Sequence, residues 1–106
     1  MVNEKDLELL RFLQDETENG RIKWQATALE NEFASSLRGK YVLTMSRMGT
    51  ITRLRLTDQN ERELLTINSF EAERVEELFE YVRRRALDVD GAIDDILKGQ
   101  WRNLSS

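Results

Sequence analysis

The hydrophobic pattern changes period twice along the chain. Over residues 3–18, Leu7, Leu9, Leu10, Phe12 and Leu13, with Val2 just ahead, recur at helical spacing and predict an amphipathic helix. Asn3 suits its N-cap, Glu4 and Asp6 suit the positive end of its dipole, and Asn19-Gly20 supplies the stop. From residue 21 the period becomes two. Ile22, Trp24 and Ala26 alternate over 21–27, and Phe33, Ser35 and Leu37 over 32–37. Tyr41, Leu43 and Met45 alternate over 40–47, Thr52, Leu54 and Leu56 over 50–57, and Leu65 and Ile67 over 62–68. Successive side chains of a strand point to opposite faces, so each set marks one inward face.

Two turns tie these sets together. A turn at Met48-Gly49 pairs Met45 with Thr52, Leu43 with Leu54 and Tyr41 with Leu56. A turn at Asn60-Glu61 pairs Leu56 with Leu65 and Leu54 with Ile67, Asn60 being a residue that tolerates the left-handed conformation. Both turns put the apolar partners on the same side, and a slip of one residue would destroy that agreement.

Helical periodicity then returns. Val75, Leu78, Phe79, Val82 and Ala86 form one stripe, Asn68 with Glu71 makes a capping-box pattern, and acids early with Arg83, Arg84 and Arg85 late follow the helix dipole. A shorter helix is predicted over 89–98, capped by Asp88 or Asp90, buried through Ile93, Ile96 and Leu97, and ended by Gly99. Trp101 and Leu104 are expected to fold back onto the core. The expectation is a single α+β domain over residues 1–106: an N-terminal helix, a four- to five-stranded antiparallel meander, and two C-terminal helices packed on one sheet face.

Composition narrows the chemistry. The chain has no Cys, which excludes thiolate catalysis and Cys-ligated zinc. It has no His, so the commonest general base and transition-metal ligand are missing. No run of about 18 apolar residues is present, as a membrane-spanning helix requires. The charged opening Met1-Val2-Asn3-Glu4-Lys5-Asp6 does not read as a signal peptide. A cytoplasmic protein is the expectation.

The remaining candidates for catalysis fail on spacing. Asp94-Asp95, Glu76-Glu77 and Asp88/Asp90 are adjacent acids on helical segments, where solvation keeps them ordinary; a glycosidic pair needs one acid desolvated across a cleft. A calcium loop counted from Asp88 would need Gly sixth and Glu twelfth, and finds Ile93 and Gly99. The five glycines build no phosphate-cradling loop. Ser35-Ser36 and Ser105-Ser106 have no His to activate them, and the spacing of Lys23 and Lys40 supports no Ser–Lys pair. No catalytic residue, metal ligand or cofactor is assigned.

Charge is the informative feature. Residues 1–20 carry six acids and two bases, residues 21–57 seven bases and two acids, and the acids again dominate beyond, for a net charge of −4. If Leu54 and Leu56 point inward, Arg53 and Arg55 point outward, with Thr44 and Val42 as expected neighbours and Lys40 and Lys23 on the same basic segment. The candidate binding surface is Lys40, Arg47, Arg53, Arg55 and Trp101. Two readings of it stand side by side: a cationic docking surface for an acidic partner, or a solvated face whose charges aid solubility and blunt edge pairing. Arg83, Arg84 and Arg85 spread round the helix wheel and read as dipole matching.

Lys23-Trp-Gln-Ala-Thr27 followed by Asn31-Glu-Phe-Ala-Ser-Ser-Leu37, and Arg84-Arg-Ala-Leu-Asp-Val-Asp90 with Ile93 and Ile96-Leu97, resemble small uncharacterised bacterial or phage-borne proteins. The resemblance implies a bacterial origin and transfers no functional residue. The expected function is a non-enzymatic protein-interaction module, including association with a second copy. The alternatives are a nucleic-acid or phosphate binder using Arg53, Arg55, Lys40 and Arg47, which a pI near 4.9 disfavours, and a small hydrolase or transferase working without His or Cys.

Overall fold

The computed structural model describes the backbone of residues 2–105 and the side chains of residues 2–98. Helix α1 (Glu4–Glu18) leads into strands β1 (Gln25–Ala26), β2 (Glu32–Leu37), β3 (Tyr41–Met48), β4 (Ile51–Asp58) and β5 (Glu63–Asn68), then helices α2 (Arg74–Ala86) and α3 (Val89–Ser105). The strands form one antiparallel meander in chain order. The architecture is the expected α+β arrangement.

Alternation decides which side of the sheet is dry. Phe33, Leu43, Met45, Leu54 and Ile67 are all buried, and they meet Leu10 and Leu13 of α1 and Val75, Leu78, Phe79 and Val82 of α2 in one core. Every other residue of β3 and β4 faces the opposite side, where Arg53 and Arg55 are exposed and, among the described residues, carry no helix. The β4–β5 register pairs Leu54 with Ile67 and Leu56 with Leu65, as the sequence predicts. The β3–β4 register differs from the expectation by two residues: Met45 faces Leu54, Leu43 faces Leu56 and Tyr41 faces Asp58. The cause is the turn, which is Gly49-Thr50 and not Met48-Gly49. Gly49 has φ 62° and occupies the first central position, where primed hairpin turns need positive φ. A two-residue shift conserves parity, so the inward set is unchanged.

The β4–β5 connection is held by Asp58. Its Oδ1 accepts from the amides of Asn60 at 2.9 Å and Arg62 at 3.0 Å, and its Oδ2 accepts from Arg62 Nε at 3.0 Å. The left-handed residue there is Glu61, with φ 63°, rather than Asn60. The Arg62 amide holds the Asp58 carboxyl below its ordinary value of 3.8, against an opposing desolvation, with the Asn60 amide adding to the same effect. A depressed folded value means that this stabilisation is present above the unfolded value and is lost as pH falls through the folded one. In an NMR pH titration, the amide shifts of Asn60 and Arg62 should therefore move together with a midpoint below 3.8. A midpoint at or above that value would contradict the turn geometry.

Three other local expectations change. The 21–27 strand contracts to β1, because the amides of Arg21 and Ile22 turn back to the Glu16 carbonyl at 2.9 and 3.4 Å. Ile22 and Trp24 are buried all the same, and Trp24 Nε1 donates to Thr17 Oγ1 at 3.0 Å. The Asn68/Glu71 pattern caps a separate turn over 68–72, with Phe70 N donating to Asn68 Oδ1 at 3.2 Å and Asn68 N donating to Glu71 Oε1 at 3.3 Å. Helix α2 begins beyond it, at Arg74. The last helix runs through Gly99 to Ser105, and its predicted buried side is exposed: Ile93 44 %, Ile96 65 % and Leu97 51 %. The side chains of Trp101 and Leu104 lie outside the described residues.

Candidate functional site

The sheet has two faces with opposite treatments of arginine. Arg47 shares the parity of Leu43 and Met45 and lies on the helix-covered side, opposite Thr52. Its guanidinium sits 4.4 Å above the Phe79 ring centroid, pairs with Glu76 and lies 3.3 Å from Glu80. Its Nε donates to Thr52 Oγ1 at 3.3 Å, and that hydroxyl donates to Glu76 Oε2 at 2.5 Å. The Thr52 amide donates to Ser69 Oγ at 3.1 Å. This cluster clamps the β3–β4 hairpin to α2. Thr52 is fully buried, so its hydroxyl is closed to any substrate despite the carboxylate beside it.

Arg53 and Arg55 are the reverse case. They project from the central strand β4 onto the bare outer face, about 7 Å apart along the strand. Among the described residues neither has a hydrogen-bond or ion-pair partner. Their cross-strand neighbours are all uncharged: Ser46 and Asn68 flank Arg53, and Thr44 and Thr66 flank Arg55. The sequence predicts Thr44 beside Arg53 and Val42 beside Arg55; the two-residue register shift moves Thr44 to Arg55 and puts Ser46 beside Arg53. The Thr66 hydroxyl is covered and has no hydrogen-bond partner, so the face leaves polar capacity unused as well as charge.

The rest of this face mixes aliphatic, small and charged side chains: Arg55 shares a groove with Val42, Thr44, Thr57 and the acids Asp58, Glu61 and Glu63. Ser46, Met48, Ile51 and Arg53 line a shallow groove at the hairpin end, and Met48 is 76 % exposed. Lys23, Gln25, Ala34, Ser36 and Val42 line another groove over β1–β3. The outward positions of β2–β5 carry no aromatic residue.

The predicted surface residues are thus divided. Arg53 and Arg55 stand together on the outer face. Lys40 is exposed in the β2–β3 turn, four residues and about 14 Å along the strand direction from the level of Arg55. Arg47 belongs to the inner clamp, and parity with Leu43 and Met45 is the sequence signal that places it there. Trp101 lies outside the described side chains. Missed from sequence were Met48 and Ile51, whose outward parity supplies the face with its apolar end.

On the helix layer, Glu18, Tyr81, Arg84, Arg85 and Asp90 line a surface hollow. Tyr81, beside the Glu18 carboxylate, has its phenol held above the ordinary value of 10.0 by that hydrogen bond and charge. Arg85 donates to the Glu18 carbonyl and Arg74 Nη1 to Gln14 Oε1 at 3.2 Å, so these groups dock α1 on α2. Among the described residues no group of three or more acids converges as metal ligands, and no helix is long and apolar enough to cross a membrane.

Comparison with known proteins finds no matching family model, no similar curated protein and no similar solved structure. The reading rests on the geometry.

Proposed function

We propose that this chain is a non-enzymatic interaction module of the bacterial cytoplasm that holds an acidic partner segment on the outer face of its sheet. The observation that carries this reading is the couple Arg53 and Arg55, which among the described residues has no hydrogen-bond or ion-pair partner and whose direct cross-strand neighbours are neutral. Two like charges fixed close together repel one another, and an acidic partner relieves that repulsion while satisfying both donors. The small and aliphatic side chains around them allow a partner backbone or helix to approach closely.

The nucleic-acid alternative loses support on two counts. Arg47 lies on the other side of the sheet, which leaves two arginines and the distant Lys40 for phosphates. Single-stranded nucleic acid also needs stacking platforms, and the outward strand positions hold no aromatic residue. The Thr52–Glu76 pair gives the hydrolase alternative little support, because the Thr52 hydroxyl is fully buried in the clamp.

An NMR titration separates these readings. A short peptide of alternating Glu and Leu should shift the amides of Thr44, Ser46, Arg53 and Arg55, and the effect should weaken with salt as exposed charge pairs do. A single-stranded oligonucleotide should shift them less. Shifts confined to α1, or a stronger response to the oligonucleotide, would overturn the proposal.

A further inference from the structure

Helix α3 is amphipathic, and among the described residues its apolar side is uncovered. Ile93, Ile96 and Leu97 are all exposed, and in sequence the same stripe continues through Trp101 and Leu104. Contiguous apolar surface of this kind marks an interaction site. Beside the stripe stands Asp94, about 60° round the helix from Leu97 by the 3.6-residue period. Asp94 and Asp95 have no hydrogen-bond or ion-pair partner among the described residues, whereas Asp90 is bonded to Arg84. The described part of the helix is thus apolar on one side, with Asp94 and, one turn on, Lys98 at the margin of that side. The radius of gyration is 16.2 Å, against about 13 Å for a compact chain of this length, as expected if α3 stands off the body.

The molecule holds two unsatisfied surfaces of matching character. One is the outer sheet face, with two unpaired arginines between aliphatic patches. The other is α3, with an unpaired acid beside an aliphatic stripe. At 1.5 Å per residue α3 is about 25 Å long, and a five-stranded sheet is about 19 Å across, so the helix spans the face.

The two cannot meet within one chain. Helix α2 lies on the inner face, and α3 starts after only Leu87 and Asp88. Two residues reach about 7 Å, while passing from a helix layer round to the far side of a sheet needs roughly twice the 10 Å layer spacing. The occupant must come from another molecule. Pairing of α3 with a second α3 would leave Arg53 and Arg55 without a partner, and an anionic membrane surface calls for a basic helix. We infer that α3 of one copy docks across the Arg53/Arg55 face of a second copy, and that the exchange is reciprocal about a two-fold axis. This rests on the interaction reading above and names the acidic partner it requires.

The test is the mass of the full chain by light scattering behind gel filtration, with far-UV circular dichroism checking that each variant is folded. Wild type should be a dimer at high micromolar concentration. Ile96→Glu on the helix, and Arg53→Glu with Arg55→Glu on the sheet, should each give a folded monomer. Mixing the two variants restores one intact helix-on-sheet contact of the pair, so a mixed dimer should return, more weakly than wild type because the second contact is lost. A monomeric wild type, an arginine variant that stays dimeric, or a mixture that remains wholly monomeric would overturn the exchange. A monomeric wild type whose outer face still shifts with the Glu/Leu peptide would overturn the exchange alone. A dimer indifferent to the arginine changes, together with no peptide response, would remove the interaction reading as well.

Discussion

Phe79→Ala is expected to destabilise the protein by about 3–5 kcal/mol, the range for truncating a fully buried aromatic residue. Phe79 is wholly buried on α2, its ring 5.8 Å from that of Phe33 on β2 at an interplanar angle of 57°. It therefore joins the helix layer to the sheet. It also forms the platform beneath the Arg47 guanidinium, which the acids Glu76 and Glu80 hold from the α2 side. Truncation leaves a cavity and removes the cation–π contact together. A domain of this size has about 5–15 kcal/mol to lose, so the variant should show a much lower denaturant midpoint. A loss under about 1 kcal/mol would mean that α2 is not seated on β2 and β4 as described.

Adjacent residues of β4 should respond in opposite ways. Leu54 is 1 % exposed and lies between Met45 and Ile67, so Leu54→Ala should cost about 2–5 kcal/mol. At concentrations low enough to keep the chain monomeric, Arg53→Ala and Arg55→Ala, one residue to either side, should change stability by no more than about 0.5 kcal/mol, because among the described residues neither guanidinium has a hydrogen-bond or ion-pair partner within the chain. The contrast follows from strand alternation, and urea unfolding of the three variants measures it. It also bears on function: an arginine pair that contributes nothing to folding is free to serve a partner. If either arginine variant lost as much as Leu54→Ala, the outer face would be a structural element and not a docking surface.

The sheet was legible in the sequence because period-two alternation and two independent turns agreed on the inward set. The β3–β4 register was less so. Met48-Gly49 and Gly49-Thr50 both place a glycine in the turn, and parity cannot tell registers two residues apart; the positive φ of Gly49 at the first central position decides it. Arg47 shows the reverse failure. Grouping it with Arg53 and Arg55 by charge overlooked that it alternates with Met45, while the acids that receive it lie 29 and 33 residues further along, on α2. No local pattern reports such a distant pair. The burial expected for Ile93, Ile96 and Leu97 went astray for a different reason. An amphipathic stripe states that a face will be covered, and does not state which chain covers it.

The chain contains no cysteine, so single substitutions place unique thiols where they are wanted. The most direct test mixes a Ser46→Cys copy, labelled on the outer face beside Arg53, with an Ile96→Cys copy, labelled on α3, and follows disulfide formation under mild oxidation. If α3 lies across the sheet of another molecule, disulfides joining Ser46→Cys to Ile96→Cys should form faster than either like-with-like pair, and added salt should slow them. A predominance of Ile96→Cys pairs with themselves, or cross-linking of the two sites no faster than chance encounter, would contradict it.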